Sequence, residues 1–510
     1  MSTPSVTSEP PRSPPPTGGH PPWHRCLPAL RRTLADAAEA WVEASLRSKG
    51  WASIPHARAE EWASGPLPVA RFVARLARGD RPGIGPRGRF VDGSRVHAVH
   101  SLGGGDSLLL FGHRAEVHED PAAPLPTPTP APGQCLVLGA GNVTATPLLD
   151  AIEQICCHGH RVVLKLSPLH EPLQPVFAQA LQPLLATGAL AFATGGPREA
   201  AALANAPAIT AIHLTGSART WGMLRGDANL RGKRLTGEVG CCTPAIVLPG
   251  PWLPGELRRL AQQLAAYVAT NGGATCLAPR VLLTAAGWPQ RGQLLTLLRE
   301  ELGRLPPRVP FHASVREHWQ QATGTTAPAA ALPPTLCADQ RGDSARAACG
   351  EEWFAPVLRE FTLPGNDFAA FAAAATDFVR TWCFGRLSAY VWAPANTRRH
   401  QPAVIDQLVA ALPHGTIAIN TWTGLAYGLG TTPWGVPPDA PIEAGSGFAR
   451  NRTGRSIRRT VVRAGGIGFP PPPWLPAHRR AAATLRALTL HALHPTLPRF
   501  LRTALHALRP

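Results

Sequence analysis

Residues 134–168 read QCLVLGAGNVTATPLLDAIEQICCHGHRVVLKLSP. The run 134–143 is a short apolar strand ending in glycines, LLDAIEQICCHG carries apolar residues at helical spacing, and RVVLKLSP is a second apolar strand. The alternation continues with the helix VFAQALQPLLATG, the strand LAFATGG, a helix from Pro197 to Asn205 and the strand AITAIHLTGS. Strand and helix in turn predict a parallel sheet with crossover helices, doubly wound, whose ligand crevice lies at the carboxyl ends of the strands. Gly139-Ala140-Gly141 lacks the third glycine of a dinucleotide fingerprint. Thr215-Gly216-Ser217-Ala218-Arg219-Thr220-Trp221-Gly222 is a better phosphate site: a strand end, a turn of small residues, then a helix whose free N–H groups can hold a pyrophosphate. The same residues also suit a plain strand-to-helix turn.

Beyond this unit lies TGEVGCCTPAIVLPG (236–250), a helix-like spacer (251–269) and TNGGATCLAPR (270–280). It supplies a carboxylate, Glu238, and a thiol, Cys276, each expected in a glycine-containing turn. A thiolate attacks carbonyls well but forms slowly at neutral pH, so it needs a base, a helix terminus or a cation beside it. Glu238 can be that base, directly or through water. Most of the ten cysteines read as small hydrophobes. Cys276 differs because a turn precedes it and the buried strand LAPRVLLT follows it.

At this point the residues resemble the aldehyde dehydrogenase superfamily. Its Glu-Leu-Gly-Gly-type turn appears as Glu238-Val239-Gly240-Cys241, and its Asn-Gly-Gly-Gln-x-Cys-type turn as Asn271-Gly272-Gly273-Ala274-Thr275-Cys276. The resemblance implies that Gly216, Ser217 and Gly222 form the cofactor turn, that Asn142 is the oxyanion-hole asparagine and that Lys165 contacts the cofactor ribose. It extends to Glu351-Glu352-Trp353-Phe354-Ala355-Pro356-Val357, where Glu352 would bind the nicotinamide ribose and Phe354 would lie near the ring. Asn420 stands where the family has an asparagine near the substrate. The implied activity is NAD(P)-dependent oxidation of an aldehyde to a carboxylic acid through a thiohemiacetal and a thioester on Cys276, with no metal. An acyl-CoA-linked reductase on the same residues is the alternative, and a non-catalytic scaffold with a basic surface is the reading from another class. NAD is the expected cofactor, with NADP also accepted. Pro168 stands where many NAD-preferring members have a glutamate; Glu171 could reach the ribose instead, and His170 could favour a phosphate when protonated.

The implied fold is α/β and aldehyde dehydrogenase-like: two doubly wound α/β domains, an oligomerisation strand and a helical C-terminal tail. Residues 1–22, rich in Pro, Ser and Thr, are expected to be disordered. Residues 23–236 would be the cofactor-binding domain with two N-terminal helices, and 237–420 the thiol domain. Residues 421–465 would wrap the site and pair subunits through SIRRTVVRAG as an open edge strand. Residues 466–510 form a basic helical tail, expected to pack on the protein's own body, with a membrane surface or partner helix as the alternative. FGRLSAYVWAP and GTIAINTW look like strands returning toward the cofactor domain. The resemblance spans residues 134–462, and Ala274 in place of the glutamine marks a divergent subfamily.

Composition agrees. Hydrophobic residues make 44% of the 510 and charged ones 16%, enough for two or three domains with a large core. The net charge of +18 favours anionic surfaces, but the arginines are dispersed and no nucleic-acid motif accompanies them. The cysteines lack a C-x-x-C framework, and the N-terminus lacks the apolar core of a signal peptide. With no run of about 18 apolar residues, a cytoplasmic homo-oligomer acting on a small aldehyde is the expectation.

Overall fold

The computed structural model describes residues 23–79, 89–91, 93–99, 110, 112–122, 133–365, 367–430, 432–451, 455–466 and 471–508. Segment 1–22, most of the connector 121–133 and most of the run SLLLFG lie outside the described residues.

The chain opens on three helices where two were expected: α1 (Trp23–Lys49), α2 (Ala57–Ser64) and α3 (Pro66–Arg78). Leu27, Leu30, Leu34, Trp41, Val42 and Leu46 recur at helical spacing on α1 and are buried. The second expected helix breaks at Gly65, because Pro66 cannot continue a helix from the residue before it, and a Cβ at Gly65 would sit 2.7 Å from the Glu61 carbonyl oxygen.

Next come β1 (Arg89–Val91), β2 (Ser94–Ala98) and β3 (His113–Glu119), an antiparallel set. Although they precede the nucleotide-type unit in sequence, they belong to the other sheet. That unit consists of β4 (Gln134–Leu138), β5 (Arg161–Lys165), β6 (Leu190–Ala193), β7 (Ile209–Gly216) and β8 (Arg234–Val239), all parallel, in the order β6-β5-β4-β7-β8. The order reverses at β4, which puts a crevice at its carboxyl end. The helix α4 (Ala145–Cys156) returns from β4 and is buried along its whole length, Asp150 and Glu153 included.

The larger sheet is built from β9 (Pro244–Val247), β10 (Val281–Ala285), β11 (Thr335–Cys337), β12 (Val357–Leu363), β13 (Ser388–Trp392), β14 (Thr416–Ile419) and β17 (Ile457–Ala464). Among the described residues its order is β1-β2-β3-β17-β14-β13-β9-β10-β12-β11. β9, β10, β13 and β14 are buried at every position, as apolar strands covered on both faces should be. Three expectations are corrected here. The strands of FGRLSAYVWAP and GTIAINTW lie in the middle of this sheet and do not return to the smaller one, because they pair in parallel with β9 and with each other. SIRRTVVRAG is not an open edge: β17 pairs antiparallel with β3 on one side and parallel with β14 on the other. Its arginines are not simply solvated either, since Arg463 pairs with Glu116 at 2.9 Å and Asp406 at 3.2 Å, and Arg459 is buried. A short ladder of β15 (Trp434–Gly435) and β16 (Phe448–Ala449) folds the glycine- and proline-rich segment over the smaller sheet.

Candidate active site

Residues 240–243 carry the chain directly from β8 to β9, so the carboxyl edge of the smaller sheet faces the amino edge of the larger one. The expected site residues divide between these edges. Asn142 follows β4, Lys165 ends β5, Gly216 and Ser217 follow the body of β7, and Glu238 lies in β8. Opposite them, Cys276 precedes β10, and Glu352 and Phe354 precede β12. Glu238 is thus a strand residue, paired with Thr215, and not a turn residue as expected; its β-branched and apolar neighbours continue the ladder to Val239.

The Cys276 loop follows the helix α6 (Pro254–Ala269) and is fastened from every side. Asn271, Gly272 and Gly273 have φ of 52°, 62° and 76°, a left-handed run that only small or Asn-type residues accept readily. At Gly273 a side chain is excluded twice, since a Cβ would lie 2.2 Å from the Pro356 nitrogen. Asn271 Nδ2 donates to the Asn142 carbonyl at 2.9 Å and the Ala274 carbonyl at 2.9 Å, while Asn142 Nδ2 donates to the Ala274 carbonyl at 3.2 Å. Arg280, fully buried, donates to the carbonyls of Gly273 (2.5 Å), Thr275 (3.1 Å) and Ala355 (2.5 Å), and its guanidinium lies 5.9 Å from the Phe354 ring centre. Thr243 Oγ1 donates to the Cys276 carbonyl at 3.1 Å and Tyr390 OH to the Leu277 carbonyl at 2.7 Å. From the N-terminal helices, Lys49 Nζ donates to Asn271 Oδ1 at 2.9 Å and the Glu60 carboxylate accepts the Asn271 N–H at 2.9 Å. Arg308 holds Glu60 by two bonds of 2.6 and 2.7 Å. Sequence reading missed Arg280, Thr243, Tyr390, Lys49 and Glu60. The one available signal was an arginine inside the apolar run LAPRVLLT, where a charge must be buried and partnered.

Cys276, Glu238 and Glu352 act on one another electrostatically in a buried part of the molecule. Burial pushes Glu238 up to about 7, against the pull of the Trp434 indole N–H, which it accepts at 2.9 Å; Asp150 adds to the rise. Burial likewise pushes Glu352 up to about 7, opposed by Arg280 and reinforced by Glu238. The Cys276 thiol, half-buried, is pushed well above its ordinary value by burial and then by Glu238 and Glu352. It is therefore a neutral thiol at rest, and a base must take its proton. Glu352 packs over Gly240, where a Cβ would fall 1.7 Å from Glu352 Oε2. Among the described residues its buried Oε1 has no hydrogen-bond partner, which leaves one oxygen unsatisfied.

On the other edge the contacts are fewer. Ser217 Oγ caps the helix α5 (Ala218–Gly226) by accepting the Thr220 N–H at 3.2 Å; Ser217 and Gly222 are exposed, and nothing lies within 4 Å of a Cβ at Gly222. Lys165 is buried, and the loss of hydration lowers its pKa while Glu171 and Glu199 raise it. Glu171 Oε1 accepts the Gly195 N–H at 2.6 Å. His170 does not face a ligand: it is buried against Phe177 and pushed down to about 3, so it stays neutral and cannot recruit a phosphate. Asn420 is also spent on structure, its amide accepting the Ala393 N–H at 2.9 Å and donating to the Ala393 carbonyl at 2.8 Å. The segment after Asn420 does cover the site. Gly445 bridges Glu238, Ser446 Oγ accepts the Gly237 N–H at 2.8 Å, and Trp434 reaches Glu238.

Two sheets joined in this way, with their edges facing, make a known fold. It is the fold of aldehyde dehydrogenases, seen in the NAD-dependent aldehyde dehydrogenase of Sinorhizobium meliloti at 19% identity and TM-score 0.59, over 88% of this chain and 85% of that one. Aldehyde dehydrogenase C of Pseudomonas syringae, a mutant crystallised with NAD+ and octanal, gives 16% identity and TM-score 0.61 over 88% and 85%. Betaine aldehyde dehydrogenase of Staphylococcus aureus, in complex with NAD+, gives 12% and 0.58 over 87% and 83%. No curated protein matches the chain in sequence. Residues 125–297, a stretch that holds Asn142, Glu238 and Cys276, match the model of the aldehyde dehydrogenase family.

Proposed function

We propose that the protein oxidises an aldehyde to a carboxylic acid with NAD, using Cys276 as nucleophile and Glu238 as base. The observation that carries this reading is the meeting of Cys276, Glu238, Glu352 and Asn142 where the two sheet edges face each other. Glu238, ionised, takes the Cys276 proton, and the sulfur forms a C–S bond to the carbonyl carbon. The resulting oxyanion is held by the second hydrogen of Asn142 Nδ2, the first being used on Ala274, and by the Cys276 N–H; one such donor contributes about 3 kcal/mol. NAD, when bound, accepts the hydride that leaves this carbon. The C=O bond re-forms as a thioester on Cys276. Glu238 releases the first proton to solvent and then removes one from water, which attacks the thioester; the C–S bond breaks, and the leaving thiolate takes that proton from Glu238 to return the thiol.

Features on the smaller sheet support the cofactor assignment. The N-terminus of α5, with Gly216, Ser217 and Gly222, would hold the pyrophosphate. Lys165 would meet the adenosine ribose, and Glu352, with its unpartnered Oε1, the nicotinamide ribose beside Phe354. Glu171, electrostatically coupled to Lys165, supplies a carboxylate that prefers a free 2′-hydroxyl, whereas neutral His170 offers nothing to a 2′-phosphate. NAD is therefore the preferred cofactor, with NADP used less well. Absorbance of the reduced cofactor, followed with a panel of aldehydes and either dinucleotide, tests the reading; no reduction with any aldehyde sinks it.

No helix among the described residues is long and apolar enough to cross a membrane. A cytoplasmic homo-oligomer belongs to the same proposal, with its contact away from β17. Among the described residues the open edge beside β2 is β1, where Phe90 is 65% exposed. Light scattering at micromolar concentration decides between oligomer and monomer.

A further inference from the structure

The last 67 residues, 444–510, contain twelve arginines and no aspartate or glutamate, in a chain whose whole net charge is +18. Their helical part forms a hairpin of α7 (Ala481–Leu493) and α8 (Leu497–Ala507). α7 is an interior helix, with Leu485, Leu488 and Leu493 buried against the N-terminal helices. α8 packs on α7 by one face only, with Thr503 buried and Phe500 resting 5.8 Å from the His491 ring. Its other face is turned outward. Leu497, Leu501 and Leu505, with Leu508 just past the helix end, are 69%, 57%, 46% and 71% exposed, and together they are four of the nine large exposed hydrophobics of the described chain. At about 100° per residue these positions span a stripe roughly 80° wide. Arg502 is exposed on the flank of the stripe, Arg499 is exposed on the far side of the helix, where it donates to the His494 carbonyl at 3.1 Å, and Arg479 and Arg480 are exposed at the start of α7.

We propose that α8 is a membrane-surface anchor that seats its leucine stripe in the headgroup region of an anionic lipid surface. Charge complementarity selects this occupant: Arg502 flanks the leucines, Arg479 and Arg480 are exposed on the same hairpin, and no acidic side chain follows Glu443 in the sequence. Shape points the same way. The stripe is a convex ridge of aliphatic residues, whereas protein interfaces are anchored chiefly by aromatic and arginine side chains set in pockets. The attachment is peripheral, since no helix of the described residues spans a bilayer.

Flotation of the full-length protein with phosphatidylcholine vesicles carrying about a third phosphatidylglycerol tests this. The protein is expected to float with these vesicles and not with pure phosphatidylcholine, and amide exchange in residues 497–508 is expected to slow on binding. The double substitution Leu501→Asp and Leu505→Asp, at exposed positions, should weaken flotation about tenfold or more while leaving the melting temperature unchanged. Failure of the unmodified protein to float overturns the proposal. Undiminished flotation of the double variant overturns it too, because binding would then be electrostatic and independent of the stripe. A concentration-dependent dimer that the same substitutions dissolve would also overturn it, assigning the face to a second copy. If the double variant fails to fold, protection of residues 497–508 in the unmodified protein decides alone.

Discussion

The two edges that form the site are built on opposite plans. Around Cys276 nearly every carbonyl of the loop is claimed by a buried side chain, from Arg280, Thr243, Tyr390 and Asn271. Around Ser217 the turn is exposed and held by backbone geometry and a single cap. The covalent chemistry proposed for Cys276 needs the sulfur and the oxyanion donors placed to a fraction of an ångström, and a loop fixed in this way meets that need before substrate arrives. A dinucleotide instead brings its own hydrogen-bonding groups, and a turn of free N–H groups suffices for it.

Four substitutions break or sharpen this contrast, from the largest expected effect to the smallest. Cys276→Ala should lower turnover by roughly 10^4-fold or more while NAD affinity, measured by calorimetry, stays within a few-fold; a large loss of affinity would mean that the edges are not separable. Glu238→Gln should lower turnover by roughly 10^2- to 10^3-fold and leave an acyl adduct on Cys276, visible by mass spectrometry. The pH profile sharpens this test. The Glu238 pKa is raised to about 7 and the base must be ionised, so activity should rise as pH increases through about 7 and the Gln variant should lack that rise. Arg280→Met leaves buried carbonyls without donors and should cost about 3 kcal/mol in chemical denaturation, because the thiol edge depends on that one guanidinium. Ser217→Ala removes only a helix cap, about 1 kcal/mol, and should raise the NAD KM a few-fold with kcat nearly unchanged. Equal damage from the last two would erase the distinction drawn here.

What was legible in the sequence follows the same division. The alternation of β4 to β8 was readable because parallel strands buried on both faces are continuous apolar runs between glycine and proline breaks. The helices Pro197–Asn205 and Pro254–Ala269 could be bounded because proline opens each of them. Cys276, Glu238 and Asn142 were visible as polar or reactive residues at strand boundaries. Arg280 and Tyr390 were not, since their partners are carbonyls, which every residue carries and which leave no mark in a sequence. The sheet membership of β1–β3 was hidden for another reason: β3 finds its mate β17 more than three hundred residues later, and no local pattern encodes a distant edge. His170 misled because its ionisation depends on burial, which composition does not show.

The ties that shape the site are also long in the chain. Lys49 to Asn271 spans 222 residues, Glu60 to Arg308 spans 248, and Glu238 to Trp434 spans 196. A chain emerging from the ribosome therefore carries Cys276 and Glu238 long before it carries the Trp434 indole that donates to Glu238. The N-terminal helices wait for Arg308 with Glu60 uncompensated. Contacts of such separation form late and slowly, so catalytic competence should appear only at the end of folding, well after helical signal is complete. Fragments ending before Trp434 should be chemically silent.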